Sequence, residues 1–159
     1  MQRIETSLPG VWELRPKVFG DARGSFMETY HRIKFSELGI TIHRDVECFP
    51  LYDSAYLRLW MMQLVMKASQ GVLLLSAKHQ NQIYIPIGFA HGVVALTDRV
   101  QLLYKCSDFY DFRDECGVLW SDPDLKISWG ISTPFVSEKD AKLPTLAKIP
   151  RESLPQFKG

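Results

Sequence analysis

The stretch Ile83–Leu96 reads I-Y-I-P-I-G-F-A-H-G-V-V-A-L and carries the pattern that decides the fold. Apolar residues alternate along Ile83–Ile87, and apolar residues follow again in Val93–Leu96, as in strands that bury one face. Alternation recurs in Val11–Arg15 (V-W-E-L-R), Gly24–Tyr30 (G-S-F-M-E-T-Y) and Val100–Tyr104 (V-Q-L-L-Y). Many short strands with few helices predict an all-β sandwich or barrel, most readily a jelly roll.

Turn and cap signals punctuate these strands. Gly20 to Gly24 predicts a turn between two strands. His31–Leu38 (H-R-I-K-F-S-E-L) predicts a short helix that ends at Gly39. A second short helix is predicted from Ser137, because the string S-E-K-D-A places acidic residues after a capping serine.

Bulk composition indicates one globular domain spanning residues 1–159. Apolar residues make up 46% of the chain and charged residues 23%, which is typical of a folded protein. The chain has nineteen basic and eighteen acidic residues. It lacks the basic excess that is typical of proteins that bind nucleic acid, so this class of function is disfavoured. A small anionic ligand such as a nucleotide diphosphate remains possible, because its binding needs only a few local cations.

The cysteines and the apolar runs predict a cytoplasmic protein that does not interact with membranes. Cys48, Cys106 and Cys116 are odd in number and lack metal-like spacing, which suits a reducing compartment. The N-terminal stretch has no signal-peptide pattern. The most apolar run, Ala55–Met66, is too short to span a bilayer and contains Arg58.

Residues 46–71 show neither a strand nor a helix pattern clearly. Three of the five methionines fall within Met61–Met66. A helical stripe is conceivable here, and such a stripe is more often core than part of a cofactor site. Its members would be Arg58, Met61, Met62, Val65 and Met66.

Five strings in order resemble the dTDP-4-dehydrorhamnose 3,5-epimerase family. They are K-V-F-G-D-A-R-G-S-F-M-E (17–28), I-Y-I-P-I-G-F-A-H-G (83–92), L-Y-K-C-S-D-F-Y (103–110), G-V-L-W-S-D (117–122) and S-E-K-D-A (137–141). The resemblance implies a cupin-like jelly-roll barrel, a homodimer with an exchanged N-terminal segment, and no metal or organic cofactor. It also implies the dTDP-L-rhamnose pathway, which supplies cell-surface polysaccharide such as the O-antigen of lipopolysaccharide.

The chemistry that the resemblance implies is proton transfer on dTDP-4-keto-6-deoxyhexose. A base removes the proton next to the C4 ketone, at C5 and then at C3, and an acid returns a proton to the opposite face. Such a base must be poised near neutrality, as histidine is. The enolate oxygen needs positive or hydrogen-bonding groups around it.

By resemblance, Tyr104 is the proton donor and Asp140 is the carboxylate that orients the catalytic histidine. Each also has a plainer interpretation. Tyr104 suits the rim of a barrel, and Asp140 suits the first turn of a helix.

The remaining site residues implied by the resemblance bind substrate. Arg23 suits a diphosphate, because guanidinium binds phosphate in a bidentate fork. Tyr110 matches an aromatic residue that stacks on thymine. A turn arginine, an exposed glutamate and a structural histidine remain alternatives for Arg23, Glu28 and His91. The substrate-binding set is Arg23, Phe26, Glu28, Arg58, His91, Tyr110, Glu115 and Lys139.

The middle of the chain departs from the family pattern. The family reads L-R-G-L-H-F-Q where Leu57–Gln63 reads L-R-L-W-M-M-Q, so Met61 replaces the base histidine. A thioether cannot act as a base. The lysine beside the enolate and the core strands that follow have no legible counterpart. We therefore expect central strands to be partly missing, with partial order or aggregation as a consequence.

Three functions stay open at this stage. The chain is an active 3,5-epimerase, a non-catalytic relative that binds the dTDP-sugar or pairs with an intact subunit, or a metal-binding cupin. The last is disfavoured, because the four histidines lack the H-x-H spacing of such a site.

Overall fold

Short antiparallel strands make up most of the regular structure in the computed structural model. It describes residues 1–22, 24–40, 56–63, 70–106, 113 and 116–154; within 56–63 it describes the backbone and the side chain of Met62. The strands are β1 (Gln2–Glu5), β2 (Trp12–Arg15), β3 (Val18–Asp21), β4 (Gly24–Met27), β5 (Tyr56–Gln63), β6 (Gln70–Ser76), β7 (Gln82–Tyr84) and β8 (Phe89–Ala95). Helix α1 spans Arg32–Glu37, and 3-10 turns span Asp140–Lys142, Leu146–Lys148 and Arg151–Ser153. The all-β prediction is confirmed.

The strands form three antiparallel sheets. One has the order β1-β2-β7, the second is the hairpin β3-β4, and the third has the order β6-β5-β8. Asp21 pairs with Gly24 in the hairpin, as the turn signal predicted. The prediction of a strand at Val100–Tyr104 is wrong: residues 100–106 are all described, and none of them is in a strand.

Strand β5 corrects one expectation about residues 46–71. It is the central strand of its sheet, hydrogen-bonded to β6 on one side and β8 on the other. A helical stripe through Arg58, Met61 and Met62 is therefore wrong. In the described part of the chain, β5 occupies the centre of this sheet.

The sheet β6-β5-β8 has core packing on both faces. On one face, Phe89 is buried with Leu8 and Val11, and the Leu73 and Leu75 side chains of β6 pack against them. On the other face, Met62 is fully buried with three leucines of the C-terminal segment: Leu125, Leu146 and Leu154. Met62 is the residue of β5 whose side chain is described, and it packs in the second of these clusters.

Helix α1 follows its sequence signals at both ends. His31 is the N-cap, and its Nδ1 accepts a hydrogen bond from the Lys34 backbone N–H at 3.4 Å. At the other end Gly39 has φ +83°, its N–H donates to the Ser36 carbonyl, and the Ile40 N–H donates to the Phe35 carbonyl. This pair of bonds is a Schellman motif. Phe35 and Ile40 are buried together with Leu14, which anchors the helix on β2.

The predicted second helix is a 3-10 turn. Ser137 Oγ accepts a hydrogen bond from the Asp140 backbone N–H at 3.0 Å, so the serine caps as predicted. In the described part of the chain, no helix is long and apolar enough to cross a bilayer.

Candidate functional site

The β3-β4 hairpin presents an aromatic pair beside an open pocket. Register places Phe19 opposite Phe26, and the two are 52% and 70% exposed. The pocket has a volume of about 340 Å³ and is lined by Phe19, Gly20, Asp21, Gly24, Ser25 and Phe26. The Lys17 ammonium lies 4.9 Å from the centre of the Phe19 ring. Flat apolar faces beside a cation suit a nucleotide.

Phe19 and Lys17 were not among the predicted site residues. The signal was available, because an Asp21–Gly24 turn fixes residue 19 opposite residue 26. The predicted residue Arg23 lies outside the described residues.

Glu28 follows β4 and is held by helix α1. Its carboxylate accepts a hydrogen bond from Lys34 Nζ at 2.6 Å. This hydrogen bond, together with the charge of Lys34, lowers the pKa of Glu28. Glu28 is therefore an anion at neutral pH. Lys34 competes with any ligand group that Glu28 would bind.

His91 lies in β8, paired with Met61 of β5 in the same register row as Gly71 of β6. His91 is exposed to solvent as a residue. The protein packed around its imidazole still desolvates the ring in part, and this desolvation lowers the pKa of His91. A histidine with a lowered pKa is neutral at pH 7 and has a free ring nitrogen that accepts a proton.

The residues beside His91 fix the strand that carries it. Ala90 packs against the Met62 cluster. A Cβ added at Gly92 would come within 2.8 Å of Trp129, so glycine is needed for this close approach. Trp129 is held in turn, because its Nε1 donates to the Trp120 carbonyl at 2.9 Å.

Tyr104 and the Asp140 region are on the surface of the described structure. Tyr104 is 65% exposed. Asp140 and Lys139 are both exposed and adjoin the 3-10 turn Asp140–Lys142. The Asp140 backbone N–H donates to Ser137 Oγ, and the Asp140 carbonyl accepts a hydrogen bond from the Leu143 N–H.

The other predicted site residues cannot be placed. Tyr110 and Glu115 lie outside the described residues, and only the backbone of Arg58 is described, in β5. Among the described residues, no group of three histidine, cysteine, aspartate or glutamate side chains is arranged to hold a metal ion.

Comparison with known proteins decides the family. A model of the dTDP-4-dehydrorhamnose 3,5-epimerase family matches residues 5–50 and 66–148. The chain belongs to this family. The Shigella flexneri dTDP-4-dehydrorhamnose 3,5-epimerase is 34% identical, over 88% of this chain and 93% of its own length.

Solved structures of epimerases share the fold. That of dTDP-6-deoxy-D-glucose-3,5-epimerase from Legionella pneumophila, in complex with dTDP-4-keto-L-rhamnose, has a TM-score of 0.85 at 27% identity and covers 99% of both chains. That of the Bacillus anthracis dTDP-4-dehydrorhamnose 3,5-epimerase, with TDP and PPi bound, has a TM-score of 0.77 at 29% identity and covers 91% of this chain and 98% of the other. The cupin-like jelly roll expected from the sequence is the fold of these family members.

The middle of the chain is where this family member differs from its relatives. The family model leaves residues 51–65 unmatched, and these include β5. The alignment with the Shigella protein has 172 positions, whereas 88% of 159 residues is about 140, so about 32 positions hold no residue of this chain. The short middle segment nevertheless supplies the central strand of a sheet.

Proposed function

We propose that this protein is a nucleotide-sugar 3,5-epimerase, an isomerase that acts on dTDP-4-keto-6-deoxy-D-glucose. The observation that carries the proposal is the family match over most of the chain, from residue 5 to residue 148. Curated relatives that bear this activity in their names match 88% to 97% of the chain. The product would be dTDP-4-keto-L-rhamnose.

The hairpin pocket supports a nucleotide-binding role for the β3-β4 region. Phe19 and Phe26 offer apolar faces to thymine, while Lys17 and Arg23 are the cations nearest in sequence for a diphosphate. Glu28, on the same chain segment, offers an acceptor for sugar or base hydroxyl and N–H groups.

For the chemical step, we assign Tyr104 as the proton donor and Asp140 as the carboxylate that supports the base, as the family pattern implies. Tyr104 is a phenol on an exposed segment, so it can exchange its proton with water between turnovers. Arg58, Tyr110, Glu115 and Lys139 complete the proposed substrate-binding set.

We further place the protein in the cytoplasm as a homodimer. Two free, exposed cysteines, Cys106 and Cys116, suit a reducing compartment. Exposed apolar side chains away from the hairpin, such as Ile33, Ile87 and Phe135, suit burial against a second copy of the chain. The product would feed dTDP-L-rhamnose synthesis for cell-surface polysaccharide such as O-antigen.

Product analysis tests the proposal. The protein is incubated with dTDP-4-keto-6-deoxy-D-glucose, and the sugar is identified by proton NMR after chemical reduction of the ketone. The expected product has the L-rhamno configuration, inverted at C3 and C5. Recovery of the D-gluco compound, with dTDP still bound by the protein, would show a binding protein instead of an epimerase.

A further inference from the structure

Glu28 lies between the hairpin pocket and helix α1. It comes directly after the last residue of β4, and Phe26 lies two residues before it. Side chains two residues apart in an extended chain share a face, so the strand pattern places Glu28 on the face of Phe26, about 7 Å along the chain. Phe26 lines the pocket together with Phe19. A base that stacks on these two rings therefore has a carboxylate near its edge.

Helix α1 brings Lys34 to this carboxylate. Lys34 Nζ donates to Glu28 Oε1 at 2.6 Å. The next residue of the helix, Phe35, is buried with Leu14 of β2, and the Tyr30 ring packs edge-on against Phe35 with the centroids 4.9 Å apart. The approach of Lys34 to Glu28 is therefore set by a buried anchor and not by two exposed side chains alone.

The ion pair offers a hydrogen-bond acceptor beside a donor. Among the described residues, the recorded bond to Lys34 uses Oε1 of Glu28, so the competition of Lys34 concerns one oxygen and leaves Oε2 for a ligand. An ionised carboxylate only accepts hydrogen bonds, whereas an ammonium group has three donors, of which this bond uses one.

Lys34 also favours the ionised form of Glu28. The hydrogen bond from Lys34, and then the charges of Lys34 and His31, lower the pKa of Glu28. A protonated carboxyl group would carry an O–H donor and would also bond to a ligand acceptor. The ionised form discriminates, because it accepts from an N–H group and repels a lone pair.

Pyrimidine bases differ in the groups that such a pair would meet. Thymine and uracil present an N3–H donor between two carbonyl oxygens, whereas cytosine presents a lone pair at N3 beside an amino group. The carboxylate matches N3–H, and the ammonium matches the neighbouring carbonyl oxygen. Cytosine would meet the pair only after shifting along it until its amino group faced the carboxylate. A base held by stacking on one side and by its diphosphate on the other is not free to shift.

We propose that Lys34 is a specificity-determining residue, which presents Glu28 to the N3–H of thymine or uracil and thereby disfavours cytosine. This inference rests on the proposed function, because it takes the hairpin as the nucleotide site. Lys34 acts through Glu28 and is a positioning residue. The ligand class is a pyrimidine nucleoside diphosphate, free or joined to a sugar, whose base carries a proton at N3.

The test compares the dissociation constants of dTDP and 5-methyl-dCDP, which differ only at N3 and C4 of the base, by isothermal titration calorimetry near neutral pH. The unmodified protein should bind dTDP about tenfold or more tightly, the usual effect of a hydrogen bond to a charged group. Lys34→Met, of similar length and without charge, should reduce this ratio roughly threefold or more, since it removes the hydrogen bond that aligns the carboxylate.

Two further variants show whether the charge of Lys34 acts at its own position. Lys34→Arg keeps a charged donor and should retain the ratio. Arg32→Gln removes a positive charge from an exposed position of the same helix and is the matched control, with an unchanged ratio expected. A ratio of two affinities is unaffected when a variant merely contains less folded protein, so a purely structural role of Lys34 would not move it.

The outcomes separate this inference from the proposed function. Equal affinity of the unmodified protein for the two nucleotides, or an unchanged ratio in Lys34→Met, would overturn the inference, while inversion of the sugar at C3 and C5 would still establish the epimerase. Discrimination that depends on Lys34 without inversion would leave a thymine-specific binding protein. Absence of dTDP binding would overturn both.

A measurement on the unmodified protein needs no variant. The diphosphate of N3-methylthymidine lacks the N3–H donor and should bind about tenfold or more weakly than dTDP, because the charged acceptor loses its partner. Equal binding of the two would show that Glu28 does not accept from N3 and would overturn the inference.

Discussion

At the scale of single residues, the surrounding protein shifts the pKa of two residues of the proposed substrate-binding set, Glu28 and His91. The 2.6 Å hydrogen bond from Lys34 lowers the pKa of Glu28, and desolvation by the surrounding protein lowers the pKa of His91. The two shifts have different physical causes. Sequence reasoning identified both positions from the resemblance, but neither Lys34 nor the pairing of His91 with Met61 was visible without the fold.

Removing the Lys34 charge should raise the pKa of Glu28. Lys34→Gln loses both the charge and most of the hydrogen bond that stabilise the carboxylate. Because folding lowers the pKa of Glu28, its contribution to stability is present above the unfolded-state pKa and is lost as the pH falls through the folded-state value. Carbon-13 NMR titration of the glutamate carboxyls measures the shift, with Lys148→Gln as a control. An unchanged Glu28 titration in Lys34→Gln would refute this assignment.

At the scale of elements, local signals predicted helix α1 and the β3-β4 turn well, because their caps and glycines act within a few residues. The Schellman bonds at Gly39 are an example. Strand β5 could not be predicted in the same way. Its place depends on pairing with β6 and β8 and on the packing of Met62 against the C-terminal segment, which a local pattern does not show.

Gly39→Ala should destabilise the protein by about 1 kcal/mol, because an alanine at φ +83° is strained. Space is not the cause, since an added Cβ would lie 3.8 Å from Arg3 and Trp12. Urea unfolding measures the change, and Ser36→Ala on the exposed side of the helix is the control. A stability equal to that of the unmodified protein would argue against the left-handed cap.

Met62→Ala should cost about 2–5 kcal/mol, the usual effect of emptying a fully buried site. The matched control is Val72→Ala on β6, whose side chain is 51% exposed and should cost much less. Thermal unfolding followed by circular dichroism compares the two. Equal effects would contradict the position of β5 between the two core clusters.

At the scale of the whole molecule, the C-terminal segment packs on Met62 of the sheet β6-β5-β8. Asp122 joins its parts: Oδ1 accepts the Asp124 and Leu125 N–H groups, and Oδ2 accepts the Leu146 N–H at 2.7 Å. Leu125 and Leu146 in turn pack on Met62. The two segments that resemble the family, 117–122 and 137–141, lie close in sequence to these contacts. The sequence did not show that the contacts of Asp122 bring Leu125 and Leu146 together on Met62.

Asp122→Ala should destabilise the fold by about 2–4 kcal/mol, because Asp122 is 2% exposed and its loss leaves buried N–H groups without an acceptor. Asp124→Ala, at an exposed position in the same turn, is the control. Chemical denaturation gives both values. A loss below 1 kcal/mol for Asp122→Ala would show that the C-terminal segment is not held at this point.

The central claim is that a family member with a short middle segment still performs the family reaction. Its most direct measurement is proton NMR of dTDP-4-keto-6-deoxyglucose incubated with the unmodified protein in deuterated water. We predict that deuterium enters at C5 and C3 in the presence of the protein and not in its absence. Saturating binding of the nucleotide sugar with no deuterium at either carbon would contradict it.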